Sequence, residues 1–91
     1  MNKGELIKNY AYQQNISLDE ATNIVNTFFE TIKDSLKKGN RVEIRGFGSF
    51  KVKHYKSYVG RNPSTGEQVT VRPKSLPFFK VGKDLKDYLN E

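Results

Sequence analysis

The residues of this chain with the clearest chemical potential are a proline and its neighbours in the octet GRNPSTGE, Gly60–Glu67. This mixture of Gly, Asn, Pro, Ser and Thr is typical of a tight turn. Pro63 places a rigid apolar ring in that turn, with Arg61 and Asn62 beside it. On a basic arm, such a ring can act as a wedge between base pairs, inserted from the minor groove. The alternative is that Pro63 serves turn geometry alone.

Basic residues are segregated within the sequence. The chain has 91 residues and a formal net charge of +6, yet residues 1–40 carry equal numbers of basic and acidic side chains. Residues 51–83 carry one acid, Glu67, against a larger basic set: Lys51, Lys53, Lys56, Arg61, Arg72, Lys74, Lys80 and Lys83. Because unrelated surface lysines would not cluster in this way, the pattern predicts a polyanionic partner.

Residue types that carry catalysis or bind metals are scarce. His54 is the only histidine, and the absence of cysteine excludes disulfides and thiolate metal sites. No Walker-type loop or paired-histidine motif is present. Asp19, Glu20, Asp84 and Asp87 fall at predicted helix starts or on helix surfaces, where structural roles account for them. We therefore expect a protein that is not an enzyme, with no cofactor and no metal.

The basic residues and Pro63 depend on a predicted β-hairpin for their positions. Lys51–Val59 is predicted to be the outgoing strand, and Gln68–Arg72, which alternates between apolar and polar residues, the returning one. A two-stranded ribbon of this kind is marginal in water on its own. The alternatives are a solvated hairpin and an arm that embraces an anionic partner, and the tip favours the arm.

Two helices precede the hairpin and one follows it. Asn2 with Glu5, and Ser17 with Glu20, form capping boxes that predict the starts of the first two helices. The second helix has the clearest apolar stripe, made of Ala21, Ile24, Val25, Phe28, Phe29, Ile32 and Leu36. The stripe predicts core or a dimer interface.

The predicted fold class is α+β, as a single domain over residues 1–91. Residues 1–40 form a helical base, and residues 41–82 form a three-stranded antiparallel sheet with a long β-hairpin arm at about 51–76. Residues 83–91 form a short C-terminal helix. An apolar content of 35% leaves little core material, so we expect association with a second chain. With neither a signal peptide nor a membrane span in the sequence, we expect a cytoplasmic protein without a membrane partner.

The chain resembles the HU and integration host factor family of bacterial histone-like DNA-bending proteins. The motifs that carry the likeness are GFGSF at Gly46–Phe50, GRNPSTGE at Gly60–Glu67 and PFFKVGKDLKDYLN at Pro77–Asn90. The likeness spans essentially the whole chain. It implies an intertwined dimer whose two β-arms reach around double-stranded DNA in the minor groove, as this family is known to do.

The resemblance also implies roles for individual residues. Pro63 would intercalate, with Arg61 and Asn62 beside it in the minor groove. Phe47, Phe50 and Phe79 would belong to the dimer core. DNA phosphates would be contacted by Lys3, Lys51, Lys53, Lys56, Arg72, Lys74, Lys80 and Lys83.

Departures from the family pattern leave alternatives open. Tyr55 and Tyr58 stand where many HU arms carry arginines, and their rings would also serve as stacking platforms in an RNA or single-strand binder. The stretch Arg41–Phe50 looks more like the integration host factor branch, in which Arg45 would enter the minor groove with Glu43 orienting it. A cross-strand ion pair on a solvated face is the alternative.

The function predicted is that of an architectural protein that bends duplex DNA by proline intercalation and helps to compact the nucleoid. Bent, nicked or flexible sites should bind best, because they are cheaper to deform. The alternative is a site-preferring subunit, similar to integration host factor, that acts in recombination, replication or transcription. A homodimer is expected, and a heterodimer with a related subunit is the alternative. The remaining rival is a structural protein whose basic arms bind acidic proteins.

Overall fold

Residues 1–91 are all described by the structure, a computed structural model. The elements in chain order are α1 (Lys3–Gln14), α2 (Leu18–Lys37), β1 (Val42–Ile44), β2 (Gly48–Tyr55), β3 (Tyr58–Arg61), β4 (Gln68–Val71), β5 (Lys74–Val81) and α3 (Lys83–Leu89). The α+β class, with two N-terminal helices, antiparallel strands and a short C-terminal helix, is confirmed. The chain divides into two compact units, Met1–Ser35 and Leu36–Glu91. None of the helices combines the length and the apolar composition needed to cross a membrane.

The first unit is a pair of helices whose ends are set by side-chain caps. The side-chain oxygen of Asn2 accepts a hydrogen bond from the Glu5 backbone N–H at 2.9 Å. The Ser17 hydroxyl accepts one from the Glu20 N–H at 3.1 Å. Between the helices, Asn15 takes the left-handed conformation with φ 53°. Each predicted capping box therefore has its N-cap bond, from the backbone N–H of the third helical residue to the cap side chain.

Only part of the apolar stripe on α2 is buried. Ala21 and Val25 form the buried core of the first unit together with Ile7 of α1. Phe28 remains 51% exposed and Ile24 47%. The stripe therefore extends beyond the surface that the single chain covers.

The second unit is built on a three-stranded antiparallel sheet of order β1-β2-β5. Strand β1 pairs only with Gly48–Phe50 of β2, whereas β5 pairs with β2 from Gly48 through Tyr55. From Lys51 outward, β2 and β5 are therefore a two-stranded ribbon. Pro77 lies within β5, which tolerates it because β5 is an edge strand.

The ribbon continues outward as β3 paired with β4. The last pair of the inner ladder is Tyr55–Lys74 and the first pair of the outer ladder is Tyr58–Val71. Two residues on each strand lie between these pairs, so the register is unchanged across the gap. One of them is Pro73, which has no N–H to donate to a ladder. The structure thus has one long arm that is interrupted once.

Candidate nucleic-acid interface

The tip of the arm is a closed turn that presents Pro63. The Asn62 backbone N–H donates to the Glu67 carbonyl at 2.8 Å, and the Gly66 N–H donates to the Asn62 carbonyl at 2.7 Å. The Ser64 N–H donates to the Asn62 side-chain oxygen at 2.9 Å, which is an Asx turn. Gly66 has φ +74°, a conformation that glycine adopts without strain. Pro63 is exposed at the end of this fixed backbone.

Arg61 and Asn62 directly precede Pro63 in the chain, and their side chains are not equally free to bind a partner. The Asn62 side-chain oxygen is used by the turn, so its amide N–H groups remain for a partner. Arg61 is exposed, and its Nη1 lies 3.5 Å from the Gly66 carbonyl oxygen, a weak contact. The tip therefore offers donors on both residues next to an apolar ring.

The basic side chains of the arm have no acidic partners. None of the chain's salt bridges involves them; the unpaired set is Lys51, Lys53, Lys56, Arg61, Arg72 and Lys74, and Lys80 in the sheet below the arm is unpaired as well. Lys3, at the start of α1, is also unpaired. Lys83 instead contacts Asp87 of α3 at 3.0 Å. Because exposed pairs of this kind contribute little, a polyanion can replace the Lys83–Asp87 contact at small cost.

The alternation of side chains gives the base of the arm two different faces. Directly paired residues share a face of the sheet, and the 2.8 Å contact between His54 Nδ1 and Ser75 Oγ shows this for one pair. The aromatic face carries Phe50, Val52, His54, Ser75, Pro77, Phe79 and Val81. The lysine face carries Lys51, Lys53, Tyr55, Lys74, Leu76, Phe78 and Lys80.

The three candidates for the dimer core meet on the aromatic face. The ring centroid of Phe79 lies 5.5 Å from that of Phe47 and 4.8 Å from that of Phe50. Gly48 is buried beneath this cluster. Phe47 is nevertheless 45% exposed and Phe79 39%. The cluster therefore forms within one chain and keeps an uncovered side.

Arg45 lies in the turn between β1 and β2 rather than in a strand. The ion-pair partner of Glu43 is Arg41, with 3.9 Å between Nη2 and Oε2. The predicted orientation of Arg45 by Glu43 is therefore absent from this structure, and Arg45 makes no salt bridge. It lines a cleft of about 330 Å³ together with Arg41, Lys80 and Lys83.

The two tyrosines of the arm are both open to solvent. Tyr55 is 45% exposed and Tyr58 60%. Lys74 Nζ lies 5.8 Å from the centroid of the Tyr55 ring, within the range of a cation–π contact. Tyr55 therefore has a cation beside its ring, whereas Tyr58 has an open face that is available for stacking.

Sequence reasoning missed Phe78. On the lysine face, Lys53 Nζ lies 3.7 Å from the centroid of the Phe78 ring and Lys51 Nζ lies 5.8 Å from it. The residues are far apart in sequence, and only the register Lys51–Phe78 brings them to one face. If the register of the hairpin had been predicted pair by pair, Lys51 and Phe78 would have been placed opposite each other.

Comparison with known proteins places the chain among DNA-binding proteins. The family named bacterial DNA-binding protein matches residues 1–90. HU from Anabaena, in a cocrystal with DNA, is 32% identical with a TM-score of 0.85, over 98% of this chain and 97% of that chain. HU from Thermotoga maritima is 32% identical with a TM-score of 0.68, over 98% of each chain. A mutant of transcription factor 1 is 29% identical with a TM-score of 0.65, over 99% of this chain and 91% of that chain.

Proposed function

This chain belongs to the HU family of bacterial DNA-binding proteins, and on that premise we propose that it bends duplex DNA as a dimer. The family is one of architectural DNA-binding proteins, and the chain is not an enzyme. The observation that carries the proposal is the exposed Pro63, held on a closed turn at the end of a ribbon whose cations lack acidic partners.

Affinity in this proposal comes from phosphates. Lysine and arginine side chains that neutralise phosphates release condensed counterions, and this contribution does not depend on sequence. The unpaired cations of the arm, with Lys3 and Lys83, supply these contacts. The arm cations are spread along a narrow ribbon, which suits an elongated polyanion that runs alongside the arm.

Bending in this proposal comes from Pro63. Its ring enters a base step from the minor groove, while Arg61 and Asn62 remain in the groove beside it. Unstacking a step costs a few kcal/mol in minor-groove proteins of this class, which include this family, and the bend repays it by wrapping DNA against more protein. Nicked, bent or flexible sites are preferred because less deformation energy is needed. Bending without sequence reading suits compaction of the nucleoid, and we place the protein there, in the cytoplasm.

A dimer is proposed because the chain leaves too much apolar surface uncovered. Ile7, Ala21 and Val25 are its only buried apolar side chains, which is a small core for 91 residues. In the first unit, Phe28 and Phe29 line an apolar hollow of about 270 Å³. The aromatic cluster of the second unit is also open on one side. We propose that a second copy covers these surfaces, with Phe47, Phe50 and Phe79 in the shared core.

The decisive experiment measures assembly and bending together. Sedimentation should give the mass of two chains at micromolar concentration. Fluorescence transfer between dyes at the two ends of a duplex should rise on binding, and nicked and pre-bent duplexes should bind more tightly than an intact one. A lone monomer, an unchanged end-to-end distance, or equal affinity for the three duplexes would overturn the proposal.

The alternative is a site-preferring subunit similar to integration host factor, paired with itself or with a relative. The observation that favours it is Arg45, which is exposed in a turn and has no ion-pair partner. In this reading Arg45 enters the minor groove and reads its width and base composition. Footprinting on genomic and random DNA distinguishes the two hypotheses. Protected sites that disappear in the Arg45→Ala protein would support the site-preferring subunit, and uniform protection would support general bending.

A further inference from the structure

Phe78 is an aromatic side chain that the bending proposal does not use. It lies in β5, directly opposite Lys51 of β2, and is 38% exposed. Phe79, its neighbour in sequence, belongs to the aromatic cluster on the other face. The Phe78 ring therefore stands among lysines rather than in the cluster with Phe47 and Phe50.

Two lysines share the Phe78 ring. Lys53 Nζ lies 3.7 Å from the ring centroid, well inside the distance of about 6 Å at which a cation–π interaction is significant, and Lys51 Nζ lies 5.8 Å from it. Neither ammonium group has a carboxylate partner. The ring occupies one side of the Lys53 ammonium group, so its other side remains available to an anion.

We propose that Phe78 is a positioning residue that holds the Lys51 and Lys53 ammonium groups as a preformed site for DNA phosphate at the base of the arm. A free lysine loses rotamer entropy when its side chain is fixed. The ring restricts Lys53 before DNA arrives, so less of that entropy is lost on binding. The ring also attracts the Lys51 ammonium group, which lies 5.8 Å from its centroid. Phe78 has this role only if the chain binds duplex DNA as proposed above.

The experiment compares two substitutions at one position. Phe78→Leu keeps an apolar side chain but removes the aromatic quadrupole, whereas Phe78→Tyr keeps the ring. We expect Phe78→Leu to weaken binding to an intact duplex by about threefold to tenfold per dimer at fixed salt, and Phe78→Tyr to stay within about twofold of the native protein. Because Phe78→Leu removes no charge, its salt dependence should match that of the native protein. Lys53→Ala should flatten the log–log slope by about one unit per chain.

A double-substitution cycle shows whether Phe78 acts through Lys53. The loss of affinity caused by Lys53→Ala should be smaller in the Phe78→Leu background than in the native background, because the ring contact is already gone. A purely structural role would instead lower the unfolding temperature and leave the two effects additive. Equal affinity of Phe78→Leu and native protein, or additive effects, would overturn the role of Phe78.

A measurement on the unmodified protein covers the case in which Phe78→Leu does not fold. Protons on the carbon next to Lys53 Nζ should be shifted upfield in nuclear magnetic resonance spectra by the ring current of Phe78. Ordinary shifts for those protons would overturn the contact. If the role of Phe78 is overturned but the native protein still bends duplex DNA, the proposed function stands. If the native protein does not bind duplex DNA at all, the proposed function fails.

Discussion

A proline ring is a better wedge when its backbone is fixed before it meets DNA. At the arm tip, Asn62 fixes the backbone with three hydrogen bonds, made by its backbone N–H, its carbonyl oxygen and its side-chain oxygen. Gly66 completes the turn with a positive φ. Because the turn is formed in the free chain, little backbone entropy would remain to be lost if Pro63 inserts as proposed.

Pro63→Ala should reduce bending more than it reduces phosphate contact. The wedge is lost while every cation remains, so we expect a clear fall in end-to-end fluorescence transfer. Affinity for intact duplex should fall by about tenfold, or about 1.4 kcal/mol, with an unchanged salt slope. Ser64→Ala is the matched control, because the bond from the Ser64 backbone N–H to Asn62 does not need the hydroxyl. A Pro63→Ala protein that bends DNA as the native protein does would rule out the wedge.

Gly48 is required for the packing of the aromatic face. A Cβ at this position would lie 2.5 Å from Phe79 Cζ and 2.6 Å from the Lys80 carbonyl oxygen. Gly48→Ala should therefore destabilise the protein by about 1–3 kcal/mol, lowering the unfolding temperature by roughly 4–8 °C per kcal/mol. Thermal unfolding at one fixed concentration measures this, since the midpoint of a dimer depends on concentration.

The control for Gly48→Ala is Gly4→Ala. A Cβ on Gly4 would meet nothing closer than the Asn2 side-chain oxygen at 3.5 Å, and alanine favours the helix over glycine by up to about 1 kcal/mol. Gly4→Ala should therefore leave stability unchanged or raise it. A Gly48→Ala protein as stable as the native one would show that the aromatic face can shift to admit a methyl group.

At the scale of elements, local chemistry was predictable and pairing was not. The caps at Asn2 and Ser17 are decided within three residues, and the sequence predicted both. The turn residues of Gly60–Glu67 likewise located the arm. The partner of Glu43 and the contacts of Phe78 depend instead on where each strand lies against the next, and local patterns do not fix that register. The sequence therefore predicted the arm and its tip but not the lysine–aromatic contacts at its base.

Substitutions in the arm distinguish a protein that binds duplex DNA from one that binds single strands. If Tyr55 and Tyr58 are incidental to duplex bending, replacing both by alanine should cost less affinity for duplex DNA than Pro63→Ala does. If their exposed rings stack on unpaired bases, the double variant should lose about 1–3 kcal/mol per stacked base on single strands. Filter binding with matched single and double strands makes the comparison. Tyr12→Ala, which removes a tyrosine that is 89% exposed on α1, is the control.

A larger loss from the tyrosines than from Pro63 on every substrate would favour the single-strand reading. A loss of affinity confined to single strands would mean that the arm also binds unpaired bases, in addition to duplex DNA. Both outcomes concern the outer half of the arm, because Tyr58 opens β3 beyond the interruption at Pro73.

At the scale of the whole molecule, periodicity shows that a face is apolar but not what covers it. The stripe on α2 predicted core or dimer interface for Phe28, and the chain leaves that side chain half exposed. The composition predicted that apolar side chains would remain exposed, since a short chain with few apolar residues buries a small core. The second copy that we propose covers this face belongs to an assembly of two chains, and no local pattern within one chain encodes such an assembly.

The basic side chains concentrated in residues 51–83 should make DNA binding strongly dependent on salt. If DNA is the ligand, log affinity should fall linearly with log salt concentration, with a slope of about −5 or steeper for a dimer. Lys80→Ala should flatten that slope by about one unit per chain, because Lys80 is unpaired on the lysine face. Lys33→Ala should leave it unchanged, because Lys33 is not among the proposed phosphate contacts and lies within residues 1–40, where basic and acidic side chains are equal in number. A shallow slope, or binding to acidic proteins without binding to DNA at about 0.1 M salt, would mean that the arms serve a protein partner instead.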